Sequence, residues 1–142
     1  MASEAEEVFV ESDFLFGLRK SDRLHKHVME VLEKHHRGDI RISILSSAVM
    51  EVRATLYSKS HAVAEVEEIV SLMDTILASF DVNSYIPIAL ADVVLAERLR
   101  SEFLEFTYFD SLHAATAKRH DKRLLSWDKI YTKAKIRLLT DE

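Results

Sequence analysis

The sequence predicts an α/β fold with a mostly parallel sheet and helices on both faces, and three observations carry the prediction. Short apolar runs of strand length recur at residues 8–10, 40–45, 80–85, 123–126 and 136–139, giving about five strands. Longer segments whose apolar residues repeat at helical spacing lie between them. Acids stand at the ends of these runs or at the openings of the helices that follow, the edge at which such sheets bind ligands.

The elements follow in order. An acidic start, M-A-S-E-A-E-E, is expected to be disordered to about residue 6 and has no basic and apolar regions of a signal peptide. Val8, Phe9 and Val10 form a buried strand that Glu11, Ser12 and Asp13 end. Two residues apart on extended backbone, the Glu11 and Asp13 side chains leave toward one side, and Asp13 is also placed to cap a helix beginning at Phe14. Leu24, Val28, Val31 and Leu32 mark the next helix, which Gly38 stops. His25, His27, His35 and His36 along it are expected at the surface, because no cysteine or close carboxylate pair completes a metal set there. After the strand at 40–45, Ser46 or Ser47 caps a helix that carries Glu51 among Ala48, Val49, Met50 and Val52. A glutamate in so apolar a segment needs a partner, either a metal or a cation such as Arg53.

Val63, Val66, Ile69, Val70, Met73, Ile76 and Leu77 trace one helical stripe, the pattern of a core or dimer face. Residues 80–85 read as a strand, Pro87 opens a helix over about 88–100, and Asp92 within it is expected at the surface. Thr107 and Asp110 match a helix-start pattern in which the threonine caps the backbone. A strand at 123–126, a short helix to about Lys133 and a last strand at 136–139 complete the chain.

Composition narrows the function classes. A chain of 142 residues, 48% of them hydrophobic, suits one domain over residues 1–142. Cysteine is absent, which excludes disulfides, thiolate metal sites and cysteine nucleophiles. No apolar run approaches the roughly 20 residues that span a bilayer, so a cytoplasmic protein with no membrane association is expected. The net charge of −5 argues against nucleic-acid binding by charge neutralisation alone. Residues 118–137 nevertheless hold Lys118, Arg119, Lys122, Arg123, Lys129, Lys133, Lys135 and Arg137 against Asp121 and Asp128. This basic stretch is either an ordinary solvated face or a polyanion contact.

Glu11, Glu51, Asp110 and Asp128 are the acids expected at one edge of the parallel sheet. Like charges about 4 Å apart repel by roughly 1 kcal/mol in water and about 4 kcal/mol at an effective dielectric of 20, so such a cluster needs counter-charge. A divalent cation supplies it, and carboxylate ligation favours Mg²⁺ or Mn²⁺ over zinc.

Four stretches in this order, V-F-V-E-S-D-F-L, S-S-A-V-M-E-V, F-T-Y-F-D-S-L-H-A-A-T-A and R-L-L-S-W-D-K-I-Y, resemble the successive motifs of PIN-domain proteins. The likeness is to the VapC-like ribonucleases of prokaryotic toxin–antitoxin systems, and it spans almost the whole chain. It implies a three-layer α/β/α fold and a divalent-metal-dependent endoribonuclease that hydrolyses RNA phosphodiester bonds. On the matching positions, the metal-binding and catalytic acids are Glu11, Glu51, Asp110 and Asp128, and Ser126 is the small hydroxyl residue two before the last acid. Glu11 departs from the family's usual aspartate, and Asp13 stands where Asn or Ser is common, so Asp13 is an added or substitute ligand. His113 lies one turn beyond Asp110 and receives no role. The resemblance also implies a homodimer and an antitoxin partner. The basic stretch at 118–137 is the first candidate for RNA contact. Two further readings stay open, a catalytically degenerate binding module of the same fold and a phosphatase of the haloacid dehalogenase type. The latter requires an aspartate nucleophile where this chain has Glu11.

Overall fold

A computed structural model describes residues 4–133 together with Ile136 and Leu138. Its centre is the parallel strand β1 (Glu6–Val10), whose Val8, Phe9 and Val10 have no solvent exposure. A strand covered on both faces must be apolar at every position, which is why this run does not alternate. β1 pairs in parallel with β2 (Ile40–Leu45), with Val8 opposite Ile42 and Val10 opposite Ile44. On its other side it pairs with β4 (Arg123–Leu125), with Val8 opposite Arg123 and Val10 opposite Leu125. β3 (Tyr85–Ile86) pairs with β2, so the order is β3-β2-β1-β4.

Among the described residues four strands make the sheet where about five were expected, and the described part of the expected fifth shows a parallel bridge between Leu124 and Leu138. The remainder of 136–139 lies outside the described residues, as do residues 1–3 of the acidic start. Glu6, expected in a disordered tail, is the first residue of β1 and ion-pairs with Arg123 at 2.7 Å.

Helices flank the sheet: α1 (Ser12–Phe16), α2 (His25–His36), α3 (Ser46–Ser58), α4 (Val63–Ser79), α5 (Leu90–Glu102), α6 (Tyr108–Arg119) and α7 (Ile130–Lys133). A close approach fixes the entry to α2, because any Cβ at Gly17 would overlap the Val28 side chain. Gly38, at φ +84°, turns the chain out of α2 as expected. The α4 stripe divides: Val66, Met73 and Leu77 enter the core, whereas Val63 and Val70 are exposed.

Three expectations are corrected. Residues 80–84 are not a strand, because α4 runs to Ser79 and Asp81 reverses the chain at φ +62°, a conformation that aspartate tolerates. Ser46 and Ser47 lie inside α3 rather than capping it. Asp92 is fully buried. Its Oδ2 accepts from the Ala89 backbone N–H at 2.9 Å, closing the first turn of α5, and its carboxylate takes the Arg119 guanidinium, which fastens α5 to α6.

The connectivity positions the site. From β1 the chain crosses to β2 and β3 on one side, and β4 lies on the other, so the connections diverge at β1. In a parallel sheet this reversal opens a crevice outside the carboxyl ends of the adjacent strands β1 and β4. Glu11 follows β1 and Ser126 follows β4, which places both at its mouth.

Burial raises and the Arg119 and Ala89 hydrogen bonds lower the proton affinity of Asp92, and the net direction is down from its ordinary 3.8. Its contribution to stability is therefore present above pH 3.8 and is lost as pH falls below that value. Asp92→Ala is expected to destabilise the protein by about 1–3 kcal/mol at neutral pH. Urea unfolding at pH 7 and at pH 3 measures this, and the difference between variant and parent should shrink at the lower pH.

Candidate functional site

Glu11 leaves the end of β1 and folds back over the first turn of α1. Its Oε1 accepts from the Asp13 backbone N–H at 3.2 Å, so Glu11 and not Asp13 is the cap, and the helix starts at Ser12 rather than Phe14. The Glu11 side chain is nonetheless only 4% exposed, and its other oxygen meets the Tyr131 hydroxyl. The Tyr131 hydroxyl lies 3.3 Å from Glu11 Oε2 and 3.1 Å from Asp110 Oδ1, so two carboxylates share one phenolic proton. Ser126 Oγ is 3.5 Å from Glu11 Oε1 and accepts the Asp128 backbone N–H at 3.1 Å.

Asp110 enters from the first turn of α6, whose N-cap Thr107 accepts the Asp110 backbone N–H at 3.2 Å as expected. One turn along, His113 is fully buried and points to the same place. Its Nε2 lies 2.8 Å from Glu51 Oε1 and 3.9 Å from Glu11 Oε2, and its Nδ1 lies 2.7 Å from Ser47 Oγ. The Glu51 partner is thus His113. Arg53 instead lies over the Tyr57 ring.

Glu11, Asp110 and His113 each offer a ligand atom, all within 4.8 Å of one another. Glu51 joins this group through His113. Asp128 is exposed at the rim, where its Oδ1 accepts from the Ile130 backbone N–H at 3.0 Å. It belongs to an outer pair with Asp13, whose half-buried carboxyl it influences electrostatically. The expected acids therefore form an inner set, Glu11, Glu51 and Asp110, and an outer pair, Asp13 and Asp128.

The charges explain the proton affinities. Burial first, then the charges of Asp13, Glu51 and Asp110, hold the Glu11 carboxyl well above its ordinary 4.5 despite the Asp13 N–H. Asp13 is also raised, by burial and by Asp128 and Glu51, against the Glu11 hydrogen bond and Arg23. Glu51 is lowered, because hydrogen bonds from His113 and Ser12 outweigh its burial. The Tyr131 phenol is pushed far up by burial and the surrounding carboxylates, so it stays a neutral donor. Among the described residues, no lysine or arginine forms an ion pair with Glu11, Glu51 or Asp110. Such a set is short of positive charge, and its oxygen-rich donors fit a divalent cation.

The first part of the basic stretch, residues 118–123, does not adjoin this set. Lys122 pairs with Glu7 at 3.6 Å and Arg123 with Glu6, at the amino end of β1, while Arg119 is engaged with Asp92. Four or five residues of strand, about 13–16 Å at ~3.3 Å each, separate those pairs from Glu11. Lys135 and Arg137 lie outside the described residues.

His113, Ser47, Ser12 and Tyr131 are site residues that the sequence reading did not assign. A histidine within the small-residue run S-L-H-A-A-T-A was the available signal, since such a run packs tightly and its one polar ring must find partners inside.

The sequence matches no family profile and no curated protein. Solved structures do match. VapBC2 from Rickettsia felis, bound to a DNA fragment from its promoter, superposes with a TM-score of 0.68 at 17% identity, over 93% of this chain and 96% of that one. FitAcB from Neisseria gonorrhoeae gives 0.67 at 17% identity, over 92% and 95%. VapC20 from Mycobacterium tuberculosis, a sarcin–ricin loop cleaving toxin, gives 0.64 at 13% identity, over 91% and 95%. At these identities the likeness establishes the fold, which is the PIN-like α/β arrangement that the motif resemblance implied.

Glu11 keeps its proton to a higher pH folded than unfolded, so its ionisation opposes folding. That penalty is absent below pH 4.5 and grows as pH rises from there through the folded-state value. Glu11→Gln keeps the oxygen that caps α1 and removes the charge. In the metal-free protein at pH 7 it is expected to raise stability by on the order of 1 kcal/mol, one unit of displacement being worth about 1.4. The gain should vanish at pH 4. Thermal unfolding of both proteins in EDTA at the two pH values measures it, and a loss of stability at pH 7 would contradict the assignment.

Proposed function

We propose that this protein is a divalent-metal-dependent endoribonuclease, the toxin of a toxin–antitoxin pair. The observation that carries the reading is the acid set around the buried Glu11 at the divergence point of the sheet, to which no lysine or arginine is paired among the described residues. The toxin structures with the same fold support it, one of them a toxin that cleaves the sarcin–ricin loop.

Glu11, Glu51 and Asp110, with Asp128 and Asp13 at the rim, are the residues that would hold Mg²⁺ or Mn²⁺. When bound, such an ion lowers the pKa of a water and stabilises charge on the phosphate being cleaved. The chain's own residues supply the rest. Tyr131 holds Glu11 and Asp110 side by side, and Ser126 orders the turn that carries Asp128. Glu11 is almost wholly removed from water, so a bound cation rather than solvent would balance its charge.

Phosphate contacts are assigned to cations at the acid edge. Arg23 acts on Asp13, and Lys129 follows Asp128 directly. They replace Lys118, Arg119 and Lys122, which lie toward the opposite edge. For the protein partner, a toxin–antitoxin complex from Klebsiella pneumoniae with the same fold supports an antitoxin. An apolar groove of about 750 Å³ between α3 and α4, lined by Val49, Met50, Tyr57 and Val70, is where a protein partner or second copy would seat. No helix among the described residues is long and apolar enough to cross a membrane, and RNA cleavage would place the protein in the cytoplasm.

Purified protein should cut structured or single-stranded RNA with Mn²⁺ or Mg²⁺, and not with EDTA. Asp110→Asn and Glu11→Gln should each lower the rate at least about 100-fold. Arg23→Glu should weaken RNA binding and reduce the salt slope by about one, whereas Lys122→Glu should leave both unchanged. Cleavage that persists in EDTA would overturn the metal-dependent reading.

A further inference from the structure

We infer that His113 is a positioning residue that fixes Glu51 for metal binding, with Ser47 fixing His113 in turn. This role rests on the metal-dependent reading proposed above and adds to it two residues that the motif resemblance does not assign.

The geometry is specific at both ring nitrogens. Ser47 and Glu51 stand one turn apart on α3, and His113 stands one turn beyond Asp110 on α6. Nε2 is 2.8 Å from Glu51 Oε1, and an ionised carboxylate only accepts, so Nε2 carries the proton. In the neutral ring Nδ1 is then the acceptor, and Ser47 Oγ, 2.7 Å away, donates to it. Ring and serine hydroxyl are fully buried, so water cannot substitute for either contact. The chain Ser47–His113–Glu51 ties the helix that carries Glu51 to the helix that carries Asp110.

This arrangement separates positioning from acid–base work. The Nε2 proton already points at Glu51, and the ring's distance to Glu11 Oε2 is 3.9 Å, beyond a hydrogen bond. His113 therefore acts through Glu51. Without the ring, the half-buried Glu51 side chain would keep Ser12 as a partner but lose its link to α6. Partners of metal-binding carboxylates and histidines affect metal affinity on the order of 10–100-fold when removed.

The test is Mn²⁺ binding by calorimetry, with RNA cleavage as a second readout. The variants are His113→Leu, His113→Gln, Ser47→Ala, Glu51→Gln and the double variant His113→Leu/Glu51→Gln. The glutamine amide can place a donor where Nε2 stands, so His113→Gln should keep affinity within about threefold of the parent, and His113→Leu should lose about 10–100-fold. Ser47→Ala should fall between them. The double variant should bind no more weakly than Glu51→Gln alone, because the ring has nothing left to position. Leucine that binds Mn²⁺ like the parent, or a double variant whose losses add, would overturn the role while leaving the nuclease reading intact. If His113→Leu does not fold, equal losses in His113→Gln and Glu51→Gln would overturn it. Parent protein that binds no Mn²⁺ overturns the nuclease reading and this role with it.

Discussion

A carboxylate buried among carboxylates is the constraint on which the rest of the site depends. Glu11 is placed at the end of a strand whose last three residues have no solvent exposure, where the sheet's connections diverge, and the same walls that make β1 a good central strand take Glu11 out of water. An isolated ionised group there would be strongly unfavourable. What surrounds it is a set of neutral or weak donors, the Asp13 N–H, the Ser126 and Tyr131 hydroxyls and, at longer range, His113. These orient the carboxylate without discharging it. On the proposed reading, such a site would favour a cation and be electrostatically costly without one, which is the usual trade between stability and function.

The extra methylene of Glu11 has a structural use here. One oxygen reaches back to cap α1 while the other faces Tyr131, so a single side chain both starts a helix and enters the cluster. Asp13, the other candidate for first acid, sits outside the inner set, where Arg23 favours its charge and Asp128 opposes it. The longer side chain at position 11 is thus compatible with an inner ligand, and Asp13 is better suited to the rim.

How far the sequence was legible follows from what kind of physics decided each feature. β1 was readable because burial on both faces demands consecutive apolar residues, and β2 and β4 because their carboxyl-terminal residues are apolar and buried. The helix starts near Asp110 and the stop at Gly38 were readable from local backbone chemistry. Residues 80–84 misled because Phe80 and Val82 alternate with polar residues as a strand would, whereas packing carried α4 through to Ser79. Asp92 was misread for a different reason: its partner is on another helix 27 residues away, and no local pattern reports that. The basic stretch showed the same limit, since its charges are contiguous in sequence and yet answer Glu6, Glu7 and Asp92.

The acids of the site were legible because they stand at strand ends and helix openings, while Tyr131, Ser47 and His113 acquire their roles only when α7 and α6 close on β1 and α3. The most direct test of the account is the heat of Mn²⁺ binding at mildly acid pH in two buffers of different ionisation enthalpy. Because Glu11 holds its proton above the ordinary carboxylate range, binding should release protons, and the heats should differ between buffers in proportion. Equal heats in the two buffers, or no binding at all, would contradict the claim that the buried acid cluster is the metal site.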